Sequence, residues 1–325
     1  MFMHAIQLHE FGPAENLRHE SIPDPEPGRG QVRIAVAAAG VHLVDTALRR
    51  GEPGPFPVPE LPTVPGREVA GVVDRVGDGV EDSLLGTRVV AHLGAAPGGY
   101  AELAVTEAER LLAIPEGVSF AAAVAMVGTG RTTLGILQFI ELDADSVAVV
   151  TAAAGGIGTL LVQYAAAVGA TVVGLAGGPD KVAMVRDNGA DIAVDYTLAD
   201  WPEKVRAQLG GRTATVVFDG VGGPVADAAV DLLGPGGTHL VFGWSAGAPT
   251  QVDTAARGIS SPSVLGPPMV ERAGGDLRIL SERALAAAGT GLFRPALTEF
   301  PLAEAAAAHQ ALESRATTGK VVLVP

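Results

Sequence analysis

Three glycines in the run Ala152-Ala153-Ala154-Gly155-Gly156-Ile157-Gly158 follow an apolar stretch at 147–151 and precede an amphipathic one. The missing Cβ atoms at Gly155 and Gly156 let backbone amides approach a pyrophosphate, and Gly158 lets the following helix pack closely on its strand. The start of that helix adds unbonded N–H groups and the positive end of a dipole. Strand, glycine turn and helix in this order make a dinucleotide loop. The next strand chooses the nucleotide. An NAD site places Asp or Glu about 20 residues on, to accept from the ribose 2′-hydroxyl; here the tip reads Gly174-Leu175-Ala176-Gly177-Gly178. No carboxylate stands there to repel a 2′-phosphate. Lys181 and Tyr196 offer that phosphate an ammonium and a hydroxyl. The pattern predicts NADPH.

The elements that must position these residues change character along the chain. Short β-like runs at 31–37, 69–76, 88–92 and 100–105 are separated by Pro- and Gly-rich turns at 23–30 and 51–65, which reads as a mostly β unit. From about Ala121, apolar strand candidates at 147–151, 171–175, 192–194, 215–219 and 239–242 alternate with helical stretches. Repeated βα units imply a doubly wound parallel sheet with helices on both faces, and Gly169 is placed to close the first helix. Two more helices, at 276–288 and 303–313, and a last strand at 320–324 complete the α/β pattern.

Composition excludes several alternatives. A chain of 325 residues, 48% hydrophobic, is long enough for two domains. Its formal charge of −14 repels polyanions, so nucleic acid is not an expected partner. With no cysteine the chain has no disulfide, thiolate metal site or cysteine nucleophile. The first twenty residues carry carboxylates and histidines rather than the apolar core of a secretory signal, which points to the cytoplasm. The apolar stretch at 121–127, interrupted by Gly128, Gly130 and Arg131, is read as too short to span a membrane.

These residues together resemble the zinc-independent NADPH:quinone oxidoreductases of the medium-chain dehydrogenase/reductase superfamily. The glycine run, Gly174 with Lys181 and Tyr196, Phe218-Asp219-Gly220-Val221-Gly222, Phe242-Gly243 and Glu313-Ser314-Arg315-Ala316-Thr317-Thr318-Gly319-Lys320 carry the likeness. In the first third His9-Glu10-Phe11-Gly12, Ala38-Ala39-Gly40-Val41, Val44-Asp45-Thr46 and Pro65-Gly66-Arg67-Glu68 are further landmarks. The resemblance covers essentially the whole chain. It implies a GroES-like catalytic domain from residues 1–122 and 257–325, a Rossmann NADPH-binding domain from 123–256, and an active site in the cleft. It also implies that Lys181 and Tyr196 hold the 2′-phosphate, that Gly155, Gly156 and Ile157 hold the pyrophosphate, and that Thr129, Phe242 and Gly243 lie toward the nicotinamide. Arg315 would look toward the cofactor, and a homodimer would form through the sheet edge at 258–266.

Departures from the family matter equally. Zinc-dependent relatives have Gly-His-Glu where this chain has Gly66-Arg67-Glu68, so no zinc Lewis acid is expected. The usual Asn after the Ala-Gly-Val run is His42, and the Tyr often found two residues beyond Asp45 is Ala47. A hydride passed without metal needs a conjugated acceptor, a quinone or an α,β-unsaturated carbonyl. Negative charge on that acceptor would be met by backbone N–H groups, the Thr129 hydroxyl, His42 or water, and His42, Asp45 and Thr129 are the catalytic candidates. An enoyl-thioester reductase of polyketide type and an NADPH-binding, crystallin-like protein with little turnover are the alternatives.

Overall fold

The computed structural model describes residues 1–52, 57–94 and 97–325; positions 53–56, part of the turn-rich run at 51–65, lie outside them. The chain forms two compact units, Met1–Gly128 with Pro295–Pro325, and Thr129–Arg294.

The first unit opens with β1 (Phe2–Leu8) and β2 (Leu17–Pro23), paired antiparallel. β1 is buried on both faces, Met3 and Ala5 on one and Ile6 and Leu8 on the other. β3 (Gln31–Val41) leads into the short helix α1 (Leu43–Arg49). β4 (Glu68–Val76), β5 (Arg88–His92), β6 (Leu103–Glu107) and β7 (Leu112–Ala113) follow, then α2 (Phe120–Ala125), whose first turn is closed by Ser119 Oγ accepting from Ala122 N–H at 3.1 Å.

The helical run does not stop at Gly128. A π-helical segment, Met126–Gly130, continues into α3 (Arg131–Leu137), so Phe120–Leu137 gives 18 helical residues of mean hydropathy 1.4. The sequence-based reading of a short, interrupted stretch is corrected in length, because glycine permits helix here when its neighbours are packed: 67% of this run is buried inside the protein. By length and composition it alone among the described helices passes for a membrane span, and its burial marks it as a core helix.

The second unit alternates strand and helix: β8 (Val147–Val150), α4 (Gly156–Ala167), β9 (Thr171–Ala176), α5 (Pro179–Asp187), β10 (Ile192–Asp195), α6 (Trp201–Leu209), β11 (Ala214–Asp219), α7 (Gly223–Val230) and β12 (Leu233–Val241). The parallel sheet has the order β10-β9-β8-β11-β12, with its reversal between β8 and β9 on one side and β11 on the other. Every residue of β8 is buried, as a strand covered on both faces requires. α4 ends in a paired turn: Gly169, φ +83°, donates to Ala166 O at 3.0 Å and Ala170 to Ala165 O at 3.1 Å. Beyond β12, α8 (Pro267–Arg272) and α9 (Arg278–Gly289) pack on α3. These contacts carry 257–294 with the nucleotide-type sheet, so the chain returns to the first unit at Pro295, not at 257.

There β13 (Leu297–Pro301), α10 (Ala305–Glu313) and β14 (Lys320–Val324) close a seven-stranded sheet of order β13-β14-β3-β4-β5-β7, with β6 paired to β3. Val41 pairs with Val321 and Ala39 with Val69 across β3.

Candidate functional site

In the second unit the glycine run sits between the C-terminal end of β8 and the start of α4, beside the strand-order reversal where open α/β sheets bind ligands. Ala152 takes a left-handed φ of +46° to turn the chain, and Gly155 N–H donates to Ala152 O at 2.8 Å. The first bond of the helix runs from Thr159 N–H to Gly155 O at 2.9 Å. The amides of Gly156, Ile157 and Gly158 therefore lie in the first turn, where a helix leaves its N–H groups to outside acceptors. A Cβ on Gly158 would overlap the Ala152 carbonyl, so this glycine lets α4 sit against the turn. The amide cradle and the missing side chains fit a pyrophosphate.

Gly174 has a different reason for being glycine. It lies inside β9, two residues before the strand ends, and its Cβ position is filled by Val185 of α5. The tip proper is Ala176-Gly177-Gly178, also without a carboxylate. Tyr196 hangs over it: its N–H donates to Ala176 O at 3.1 Å, and its hydroxyl lies 3.2 Å from where a Gly177 Cβ would stand. Lys181 is in the first turn of α5, partly exposed, three residues beyond Gly178. Tyr196, Gly177 and the α5 start are thus brought together at one end of the sheet. Sequence reading missed Asp195, whose hydrogen bonds from Thr197, at 2.7 and 2.9 Å, and from Gly178 hold its carboxyl below the usual range and fix the tip.

Phe242 and Gly243 follow β12. Phe242 N–H donates to Asp219 O at 2.8 Å, and its ring occupies the volume a Gly220 side chain would need. The two loops after β11 and β12 therefore interlock. Asp219 and His239 are fully buried: Asp219 accepts from the N–H groups of Val221 and Gly222, each at 2.9 Å, and faces His239 Nε2 at 3.2 Å. Thr129, 7% exposed, lies in the π-helical segment, its carbonyl accepting from the Thr133 hydroxyl at 2.9 Å.

The first unit carries His42, Asp45 and Arg315. Asp45, at the third position of α1, accepts from His42 N–H at 2.8 Å and from the Tyr100 hydroxyl at 3.0 Å. Behind Tyr100 stands His309 at 3.2 Å; burial first, then the charges of Arg49 and Arg50, push its pKa down to about 3. Arg67 Nη1 lies 4.0 Å from Asp45 Oδ1. His42 Nε2 lies 2.7 Å from Glu68 Oε1 and 2.6 Å from Lys320 Nζ, and Lys320 donates to Glu68 Oε2 at 2.9 Å. Burial opposes a charged Glu68, yet His42 and Lys320 outweigh it and hold the carboxyl well below its usual range. Neither Glu68 nor Lys320 was singled out from sequence as a site residue. Arg315 ends α10 in a left-handed conformation, φ +58°, which costs a non-glycine residue about 1–2 kcal/mol. Among the described residues no cluster of three His, Asp or Glu groups suits a metal ion.

Comparison with known proteins agrees with this architecture. The profile of the alcohol dehydrogenase GroES-like domain matches residues 28–116, and that of the zinc-binding dehydrogenase family matches 156–275. A quinone oxidoreductase of Pseudomonas aeruginosa is 33% identical over 98% of this chain and 99% of its own length. A 2-haloacrylate reductase of a Burkholderia species is 33% identical over 100% and 99%. The structure of Escherichia coli quinone oxidoreductase complexed with NADPH superposes with a TM-score of 0.85 at 30% identity, covering 99% of this chain and 100% of that one.

Proposed function

The chain belongs to the quinone oxidoreductase family, and from that premise we propose that it is an NADPH-dependent reductase of quinones or other α,β-unsaturated carbonyl compounds. The observation that carries the reading is the amide cradle at the start of α4 joined to a strand tip, Ala176-Gly177-Gly178, that has no carboxylate of its own, the neighbouring Asp195 carboxyl being engaged by Thr197 and Gly178. Bound NADPH supplies a hydride. The chain's own groups do the holding: Gly155, Gly156 and Ile157 present amides to the pyrophosphate, and Lys181 and Tyr196 bind the 2′-phosphate. Gly174 lets α5 pack closely on the second strand beneath the site. Thr129, Phe242 and Gly243 line the nicotinamide half, and Arg315 answers the cofactor's negative charge. His42, steadied by Asp45, meets the acceptor oxygen. A conjugated acceptor needs orientation and hydrogen-bond donors rather than a metal to take the hydride.

The named relatives set the acceptor panel. Purified protein is given NADPH with a benzoquinone, an enone, a 2-haloacrylate and an enoyl thioester. Turnover of the first three classes is expected to exceed that of the thioester. Preference for the thioester moves the protein to enoyl reduction, and NADPH binding without oxidation by any acceptor sinks the enzyme reading. Cytoplasmic residence and a homodimer paired along the sheet edge at 258–266 belong to the same proposal. The dimer is supported by the segment beyond β12, where Ser260 and Ser263 bridge in parallel to Thr238 and Val241.

A further inference from the structure

Of the two tryptophans in the chain, Trp201 is 5% exposed in the core of the second unit, whereas Trp244 is 58% exposed. A lone apolar side chain at the surface needs no explanation. Trp244 is set apart by what holds it and by where it stands. The segment 242–247 is laced to the loop after β11: Phe242 N–H donates to Asp219 O, Ala246 N–H to Val221 O and Gly247 N–H to Trp244 O, each at 2.8 Å. Two aromatics there meet two glycines. Phe242 lays its ring in the space over Gly220, while Trp244 brings only its Cβ against Gly222, 3.0 Å from where a Cβ would stand. Gly222 holds φ +69°, and the Ala248 carbonyl fills the rest of that volume. Phe242 thus uses its ring for packing, and Trp244 is anchored through Cβ with its indole outside. On a fixed backbone only two side-chain torsions remain to be ordered when a ligand meets that indole.

Strand order decides which half of a dinucleotide reaches it. In the order β10-β9-β8-β11-β12, the glycine tip follows β9, Tyr196 follows β10 and the amide cradle follows β8. An extended dinucleotide with its 2′-phosphate at the first two and its pyrophosphate at the third continues toward β11 and β12, which puts its nicotinamide on that side. Trp244 comes three residues after β12, two strands or roughly 10 Å from β8 at the usual strand spacing. A flat acceptor stacked on the nicotinamide to receive hydride leaves its opposite face to be covered. In a fused-ring quinone that face is broad and poor in electrons, and an electron-rich indole stacks on it, offset, with a gain beyond the buried area. A short acyclic enone has no such face.

We propose that Trp244 is the specificity platform for ring acceptors: its indole covers the face of a fused-ring quinone turned away from the nicotinamide, and so favours such quinones over small acyclic enones. This rests on the reductase reading and names, among its acceptors, the class the site prefers. The indole transfers no group; it binds the ring and orients it.

The test compares a naphthoquinone with methyl vinyl ketone as acceptors from NADPH in the wild type, Trp244→Ala and Trp244→Phe. In Trp244→Ala the ratio of kcat/KM for the naphthoquinone to that for the enone is expected to fall at least about tenfold, mainly through KM for the quinone, and Trp244→Phe is expected to keep most of it. An unchanged ratio overturns the platform alone and leaves the reductase reading standing. Loss of NADPH affinity with an unchanged ratio assigns the indole to the cofactor, and loss of a dimer with an unchanged ratio assigns it to a second copy; either overturns the platform. Turnover of no acceptor by the wild type overturns the reductase reading and the platform with it. Binding is read without turnover in Trp201→Phe, where Trp244 is the one remaining tryptophan. With NADP+, which has no hydride to give, the naphthoquinone is expected to quench the Trp244 emission to saturation, beyond the quenching of free tryptophan at the same concentration. Quenching that stays linear and equal to that of free tryptophan overturns the platform whatever the kinetics show.

Discussion

At the scale of single residues, the proposed pairing of Lys181 with the 2′-phosphate is open to direct test. A hydrogen bond to a charged group is worth about 1.5–3 kcal/mol, or roughly 10- to 150-fold in affinity, so Lys181→Ala is expected to erase most of the preference for NADPH over NADH. Fluorescence titration of both nucleotides measures it, and equal wild-type affinities would refute the assignment. Arg315 offers a sign test. Glycine relieves a left-handed φ of +58°, so Arg315→Gly should raise Tm, while loss of the guanidinium weakens NADPH binding. A variant both less stable and unchanged in affinity would remove Arg315 from the site. His309 sets an acid limit. Its folded pKa of about 3 lies below the ordinary value of 6.5, so the unfolded chain binds the extra proton between these values. The stabilisation is complete above pH 6.5 and is lost as pH falls toward 3, by up to about 5 kcal/mol in total. His309→Gln keeps a donor for the Tyr100 oxygen without titrating, and its Tm should fall less steeply on acidification. Parallel curves for variant and wild type would sink this account.

At the scale of elements, the turn into α4 separates packing from binding. Gly158→Ala would drive a methyl into the Ala152 carbonyl, lowering stability by about 1–3 kcal/mol as the helix shifts. At Gly155 the added carbon would stand 3.1 Å from the same oxygen, so Gly155→Ala should cost less stability yet weaken NADPH binding by intruding on the cradle. Equal effects of the two on Tm would contradict the geometry. This turn was legible in the sequence because an apolar strand, a glycine run and a helix are contiguous. β8 to β11 were legible too, as unbroken apolar runs. The first half of β12 was not: Gly234-Pro235-Gly236-Gly237 reads as a turn, and it bulges between Leu233, opposite Ala214, and Thr238, opposite Val216 on β11. Nor was the β1–β2 hairpin, whose strands are joined by a long loop rather than a two-residue turn. Gly174 was legible as a glycine but not in its purpose, since Val185 meets it only once α5 folds back. The His42, Glu68 and Lys320 cluster was hidden for the same reason: strand register, not spacing along the chain, assembles it.

For the whole molecule, the open question is what covers the outer side of the nucleotide-type sheet. Beyond β12 the chain adds a short parallel segment: His239 N–H donates to Ser260 O at 2.7 Å and Ser260 N–H to Gly237 O at 3.0 Å, with a further bridge from Ser263 to Val241. An edge of this kind invites pairing with a second copy, and two-fold symmetry would set the same segment against itself. Pro262 removes one donor from the middle of that ladder, so pairing must run through the residues on either side of it. Ser263 is exposed there. Each chain carries a formal charge of −14, so two copies repel over long range while the strand edge attracts over short range. Added salt screens the first and leaves the second, and the dimer should therefore tighten as ionic strength rises, opposite to an association driven by ion pairs. Tm should also climb with protein concentration, because dimerisation draws on the folded state. Ser263→Lys puts a charge on the edge without touching the α4 cradle, so it should yield a monomer that still binds NADPH. Light scattering across a salt series decides the matter: a wild-type monomer at micromolar concentration, or a dimer indifferent to Ser263→Lys, would move the interface elsewhere or abolish it.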